Sequence, residues 1–302
     1  RDELTPALAA EIRRVLHPWY GVAVLGDLSG KLDTAGLTRW AQKIAPTVSE
    51  LPGGGNLVIV EAGPLEGADN WSHYWHGPDN NAVSTDTAYS YPETIQWTGK
   101  PFRGSRTDLA IVANGRLFML WNSNYVAYTP KGEAVLPGEQ AVFIKRGSFE
   151  KWRKDQRGPL LVARSTGSGA RLWHRRLSSA AWLQAGRSIM VAADDRLLVA
   201  DGATLFELDQ ATGAERRRTE LDCGEIKWVA ATEEYVAILG GAAFKEQEDD
   251  EWMKYLVDDP AQRFRSAGSL LTVLDRDTLK PLWREARAQE PYFDPGSPAI
   301  GN

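Results

Sequence analysis

The chain has 302 residues, 43% hydrophobic and 25% charged, and its 35 basic against 40 acidic side chains leave a net charge of -5. That balance speaks against a dedicated nucleic-acid binder, and aromatics at 10% without a three-residue glycine period exclude a disordered or collagenous chain. No apolar run reaches the roughly 18 residues of a membrane-spanning helix, and the single cysteine, Cys223, rules out an intramolecular disulfide and a multi-thiolate zinc site. The chain opens on Arg1 without a signal-peptide pattern and closes on Asn302 after a Pro/Gly-rich stretch, as expected of a segment from a longer polypeptide. Its compartment is therefore left open.

Residues 5–16 read as a helix with Thr5 as N-cap and Pro6 in the first turn, and Leu8, Ile12, Val15 and Leu16 form its apolar face. Pro18 ends it. Residues 22–25 come next as a short strand of the buried type. A second helix over 33–45 is capped by Asp33 or Thr34, carries Leu37, Trp40 and Ile44 on one stripe, and stops at Pro46. A Pro-Gly-Gly-Gly turn at 52–55 leads into a strand at 56–60. Helix, strand, helix, strand marks residues 1–66 as an α/β fragment.

The run Glu11-Ile12-Arg13-Arg14-Val15-Leu16-His17-Pro18, followed by Gly21-Val22-Ala23-Val24, resembles a helix-to-strand turn late in the class I S-adenosylmethionine-dependent methyltransferases. Trp19-Tyr20 stand where that pattern begins its glycines. The resemblance implies a cofactor loop upstream. The run 53–55 cannot replace it, lacking the preceding strand and following helix that such a cradle needs.

Residues 67–89 form a connecting strap. His73 and His76, three apart, with Asp79 and Asn80 nearby, present three readings. They are ligands for a metal ion on a helical turn, or polar pins of a sealing strap whose imidazoles and amides bond the backbone of the strand ends beyond it. Contact with a small ligand is a third. His17 and His174 read as surface residues, and Cys223 lacks the cationic or helix-start surroundings of a reactive thiol.

From residue 90 the texture changes to short strands separated by turns. Segments 124–133, 161–173, 205–217 and 271–283 share one grammar: an apolar alternating strand, then a polar turn, with a second strand after it in most of them. Inner strand pairs at 111–119, 190–199 and 229–239 accompany them. Asn114-Gly115 is a strong hairpin signal and Asp194-Asp195 a weaker one. Gly132, Gly169 and Gly213 lie 37 and 44 residues apart, and the next step, to Leu279, is 66 residues. A propeller blade takes roughly 40–50, so the excess reads as a helical insertion near 243–268. The expected fold is mainly β: a partial β-propeller of about four blades over 90–302, behind the α/β fragment.

These segments resemble the repeat of the quinoprotein alcohol dehydrogenase-like, pyrroloquinoline-quinone-type propellers, whose pattern is roughly A-x-D-x-x-T-G-x-x-x-W. Asp209, Thr212 and Gly213 match, with Arg217 where tryptophan is usual; Gly169 and Trp173 match, with Ser165 for the aspartate; Asp275, Thr278 and Trp283 match, with Leu279 for the glycine. The resemblance implies that Trp173 and Trp283 wedge between adjacent blades. The order of α/β fragment, strap and propeller resembles large bacterial methyltransferase–propeller fusion proteins, which implies an exported or periplasmic setting.

The functional expectation is a binding or scaffold module without a complete catalytic site, taking a protein partner or a small ligand at the propeller face, with no nucleic acid and no transmembrane segment. The alternative is a dehydrogenase dependent on pyrroloquinoline quinone and calcium, and the single cysteine forbids the vicinal disulfide that such enzymes commonly place over the quinone. A second alternative is part of a methyltransferase whose cofactor half lies elsewhere. No G-x-S-x-G elbow occurs, and the basic groups Arg175-Arg176 and 216–218 read as solvated rims or as a site for an anionic partner.

Overall fold

A computed structural model describes residues 4–27, 32–88, 107–121, 160–178, 189–241 and 270–286. The chain divides into two compact units, and within the described residues these are 4–69 with 85–88, and 70–84 with everything from 107 onward. The strap expected over 67–89 is thus shared: its central residues belong to the second unit, and its ends to the first.

The first unit contains α1 (Pro6–Val15), β1 (Val22–Gly26), α2 (Thr34–Ala41), β2 (Thr47–Glu50) and β3 (Leu57–Glu61). The three strands form an antiparallel sheet in the order β1-β3-β2. Both helices start where side-chain caps allow it: Thr5 Oγ1 accepts from the Leu8 N–H at 3.1 Å, and Asp33 Oδ1 from the Gly36 N–H at 2.7 Å. The core joins Ala9 of α1 to Leu37, Trp40 and Ala41 of α2 and to Val58 and Val60 of β3. Two expectations change here. Leu8 is 42% and Val15 62% exposed, so the buried stripe of α1 runs through Ala9, with Ile12 and Leu16 against the same core. β1 is an edge strand in the described sheet, with Val22 and Val24 more than half exposed and only Ala23 and Leu25 turned to the core. A four-residue apolar run does not distinguish burial on one face from burial on two.

Between α1 and β1 the backbone of Trp19 is left-handed, with φ 70. Its N–H donates to Gly63 O at 3.0 Å and the Gly21 N–H to His17 O at 2.7 Å. The unit closes at a neck where Asp69 accepts from the Thr85 N–H at 2.6 Å and Gly67 O from the Thr87 N–H at 2.8 Å.

The second unit is a partial β-propeller. Its described residues form three four-stranded antiparallel blades. The first is β4 (Thr107–Ala113), β5 (Arg116–Trp121), β6 (Leu160–Ser165) and β7 (Arg171–Arg176); the second β8 (Met190–Ala193), β9 (Arg196–Asp201), β10 (Thr204–Asp209) and β11 (Glu215–Glu220); the third β12 (Glu225–Ala231), β13 (Tyr235–Gly241), β14 (Leu270–Asp275) and β15 (Pro281–Ala286). Each blade is an up-and-down meander, and the first strand of the second blade packs against the first strands of its two neighbours, which is the radial order of a propeller. Burial falls from β8 and β12 outward to the largely exposed β11 and β15. One apolar cluster runs through all three blades, from Ile111 and Phe118 through Leu198 and Leu208 to Ile238 and Leu274.

The repeat is carried in the outer turns. In each blade the residue opening the turn (Ser165, Asp209 or Asp275) exchanges the same two backbone bonds, and the residue four positions on is left-handed: Gly169 at φ 68, Gly213 at φ 72 and Leu279 at φ 53. Asp209 Oδ1 accepts from the N–H and hydroxyl of Thr212, and Asp275 Oδ1 from those of Thr278. Segment 124–133 and the insertion near 243–268 lie outside the described residues.

Candidate functional site

Residues 70–76 cross the inner strands of all three blades. Trp71 O accepts from the Val112 N–H at 2.8 Å, Ser72 O from the Ala192 N–H at 2.9 Å, and His73 Nε2 from the Ala231 N–H at 3.1 Å. Val112, Ala192 and Ala231 each stand near the end of a first strand. Three equivalent donors at the hub are therefore met by three consecutive residues of the strap. Asn70 adds a fourth bond, accepting from the Asn114 N–H at 3.1 Å.

The strap then reverses. The N–H groups of Ser72 and His73 both donate to His76 O, with His76 in a left-handed conformation. His73 is buried, and its two nitrogens are both used. Since the Ala231 N–H is a donor, Nε2 is the unprotonated nitrogen and the proton sits on Nδ1. Nδ1 lies 2.8 Å from Ser72 Oγ, which passes its own hydrogen to His76 O at 3.3 Å. Burial pulls the His73 pKa down to about 4.

His76 stacks edge-on against Trp71, ring centroids 5.3 Å apart. Asp79 Oδ1 accepts from the Asn81 N–H, and Asn80, also left-handed, donates its N–H to Gly77 O. Among the described residues no three His, Cys, Asp or Glu side chains group as a metal site. Residues 73–76 form a reverse turn, not the helical turn on which the metal reading rested, and His73 could bind a metal through Nε2 only by releasing Ala231. A shallow recess beside the strap is lined by Tyr74, Trp75, Pro78 and Asn80 on one side and Trp228 on the other.

The joints between blades engage further polar groups of the described residues. At the first joint Trp173 is buried, and its Nε1 donates to Gln210 O at 2.9 Å. Its ring lies so close over Gly213 that a Cβ there would come within 2.6 Å of it. Gln210, 1% exposed, accepts from Asn114 Nδ2 at 3.1 Å and donates to Arg196 O at 2.8 Å. At the second joint Arg217, in the position of Trp173, bonds Glu207 of its own blade and Asp277 O of the next at 2.7 Å. Arg196 pairs with Asp277 at 2.9 Å, and Arg276 reaches back to Asp194. Trp283, on β15, is 47% exposed, and the chain past Ala286 lies outside the described residues.

The arginines of the rims are likewise engaged. Arg216 is held by Asp195 and Asp209, and that bond, ahead of the Thr212 contacts, draws the Asp209 pKa down to about 2. Arg175 and Arg218 share Glu215 and lie over the Phe206 ring, 4.6 and 5.2 Å from its centroid. Burial lifts the Cys223 thiol to about 11. Gln210, Glu207 and Arg276 were not singled out in the sequence; of these Gln210 carried a signal, sitting inside the Asp209–Gly213 turn.

No family model matches the chain, and no curated protein matches it. Among solved structures, a quinohemoprotein alcohol dehydrogenase from Pseudomonas putida aligns over 72% of this chain and 26% of its own length, at 14% identity and TM-score 0.38. The corresponding enzyme from Comamonas testosteroni aligns over 76% and 30%, at 13% identity and TM-score 0.36. BamB from Moraxella catarrhalis aligns over 64% and 52%, at 15% identity and TM-score 0.29. The chain thus spans about a third or less of the two dehydrogenases' length. At these scores the likeness adds nothing to the blade architecture, which stands on strand order and register.

Proposed function

We propose that this chain is a propeller module serving as a binding or scaffold platform, without a catalytic site of its own. The observation that carries the reading is the fate of chemically useful groups among the described residues. His73, Asp209, Arg216, Arg217 and Arg276 are tied into strap and blade contacts, and the thiol of Cys223 is buried and held protonated at neutral pH. Trp173 over Gly213 belongs to the same scheme as a blade-docking wedge, its indole supplying buried area and a directional bond at once.

The alternative, an oxidoreductase dependent on pyrroloquinoline quinone and calcium, finds little to fit. Calcium takes about six to eight oxygen ligands, several of them carboxylates, and the described residues hold no such cluster. Titration with the quinone and calcium, followed by absorbance and melting temperature, separates the two readings. The platform reading expects no saturable change; saturable binding with a raised melting temperature would overturn it.

For the first unit, the left-handed backbone of Trp19 supports the methyltransferase-like reading. It stands at the position where that family's pattern has glycine, and it takes the left-handed conformation that glycine adopts most readily. On this reading the cofactor half is not in the chain, and calorimetry with S-adenosylmethionine should register no binding.

A further inference from the structure

We propose that residues 70–77 are a releasable cover over the hub ends of the three blades, and that His73 is its proton-operated latch. The geometry is particular to an imidazole. Two of the hub donors, on Val112 and Ala192, are met by strap carbonyls, which cannot titrate. The third, on Ala231, is met by a side-chain lone pair. The strap turns back at His73, through the bonds of Ser72 and His73 to His76 O, and at this third donor Nε2 stands where a strap carbonyl stands at the other two. A proton on Nε2 turns an acceptor into a donor facing another donor. The bond to Ala231 then becomes a repulsion between two N–H groups.

The surroundings leave this step to His73. The residues that β12 brings against it are Trp228, Val229 and Ala230, none of which titrates. At the start of that strand Lys227 and Glu225 are paired with each other at 2.7 Å. From β8 it is met by the segment of Ala192, beyond which Asp194 and Asp195 are held by Arg276 and Arg216. Beyond the end of β12 stand Glu233 and Glu234. Burial opposes the charged imidazole most strongly, and within the strap Asp79 favours it while His76 opposes it as well. The proposal goes beyond the platform reading and holds whether the face binds a protein or a small molecule.

The test is amide hydrogen exchange on the full chain between pH 7 and pH 4, corrected for intrinsic rates. The His73 proton is bound more weakly with the strap closed than open. The protection of Val112, Ala192 and Ala231 should therefore fall together, by about tenfold per pH unit between pH 6 and pH 4. In His73→Gln, which keeps an acceptor but cannot titrate in this range, the slope should flatten. An unchanged slope in that variant, or a loss confined to Ala231, would overturn the proposal. Should His73→Gln fail to fold, nitrogen-15 spectra of the wild-type imidazole decide: the proton on Nδ1 at pH 7 and a midpoint shared with Ala231 exchange are expected, and a proton on Nε2 would refute it.

Discussion

At position 279 a leucine occupies a left-handed turn that its two sister turns give to glycine, and the reason is burial. Leu279 is 1% exposed and belongs to the core shared by the blades. A non-glycine residue in that region costs about 1–3 kcal/mol, and burying a leucine returns about as much. Gly213 faces the opposite constraint. Its φ is positive and the indole of Trp173 leaves no room for a Cβ, whereas Gly53, equally left-handed, has open space around it. Gly213→Ala should therefore destabilise its unit by about 3 kcal/mol, and Gly53→Ala its own by only about 1 kcal/mol, read from urea midpoints. The repeat grammar made Gly213 legible in the sequence. The clash with Trp173 was not, because it joins residues of different blades.

The two described joints between blades use different chemistry in one position. Trp173 closes the first with a large apolar surface. Arg217 closes the second with a guanidinium bridging the buried carboxylate of Glu207 and a carbonyl of the next blade. Removing one partner of such a pair leaves the other buried without compensation. Arg217→Met should cost about 2 kcal/mol, and adding Glu207→Leu should recover much of it, a coupling that a double-mutant cycle measures directly. The sequence pattern flagged Arg217 only as a departure from tryptophan. Its partners were hidden because Glu207 lies on a neighbouring strand and Asp277 in another blade, separations that no local periodicity encodes. The edge exposure of Val22 and Val24 escaped for a related reason: an apolar run looks the same on an edge strand as in the middle of a sheet.

For the whole molecule, His73 and Asp209 among the described groups respond to acid in separate windows. His73 has a folded pKa near 4 against an ordinary 6.5, so the unfolded chain binds its proton more readily. Stability from this group is complete above about pH 6.5 and is lost as pH falls toward 4, by roughly 3 kcal/mol. Asp209 behaves differently: its pKa is drawn down from 3.8 to about 2, so its contribution is present above about 3.8 and fades only below that. Denaturant titrations at pH 7, 5.5 and 4 should therefore show a decline that His73→Gln largely abolishes and Asp209→Asn leaves in place.

The strap also bears on the order in which the structure assembles. The blades are meanders of neighbouring strands, so much of their pairing is available early and locally. His73 and Ala231, by contrast, are 158 residues apart in the chain. The strap's three acceptors meet their donors only after three separate sheets have come to rest around one axis, and contacts of such long separation form late. Refolding should therefore end with a slow phase, seen as delayed protection of the Ala231 amide after the blade interiors are already closed, and that final step inspects whether the preceding sheets were placed correctly.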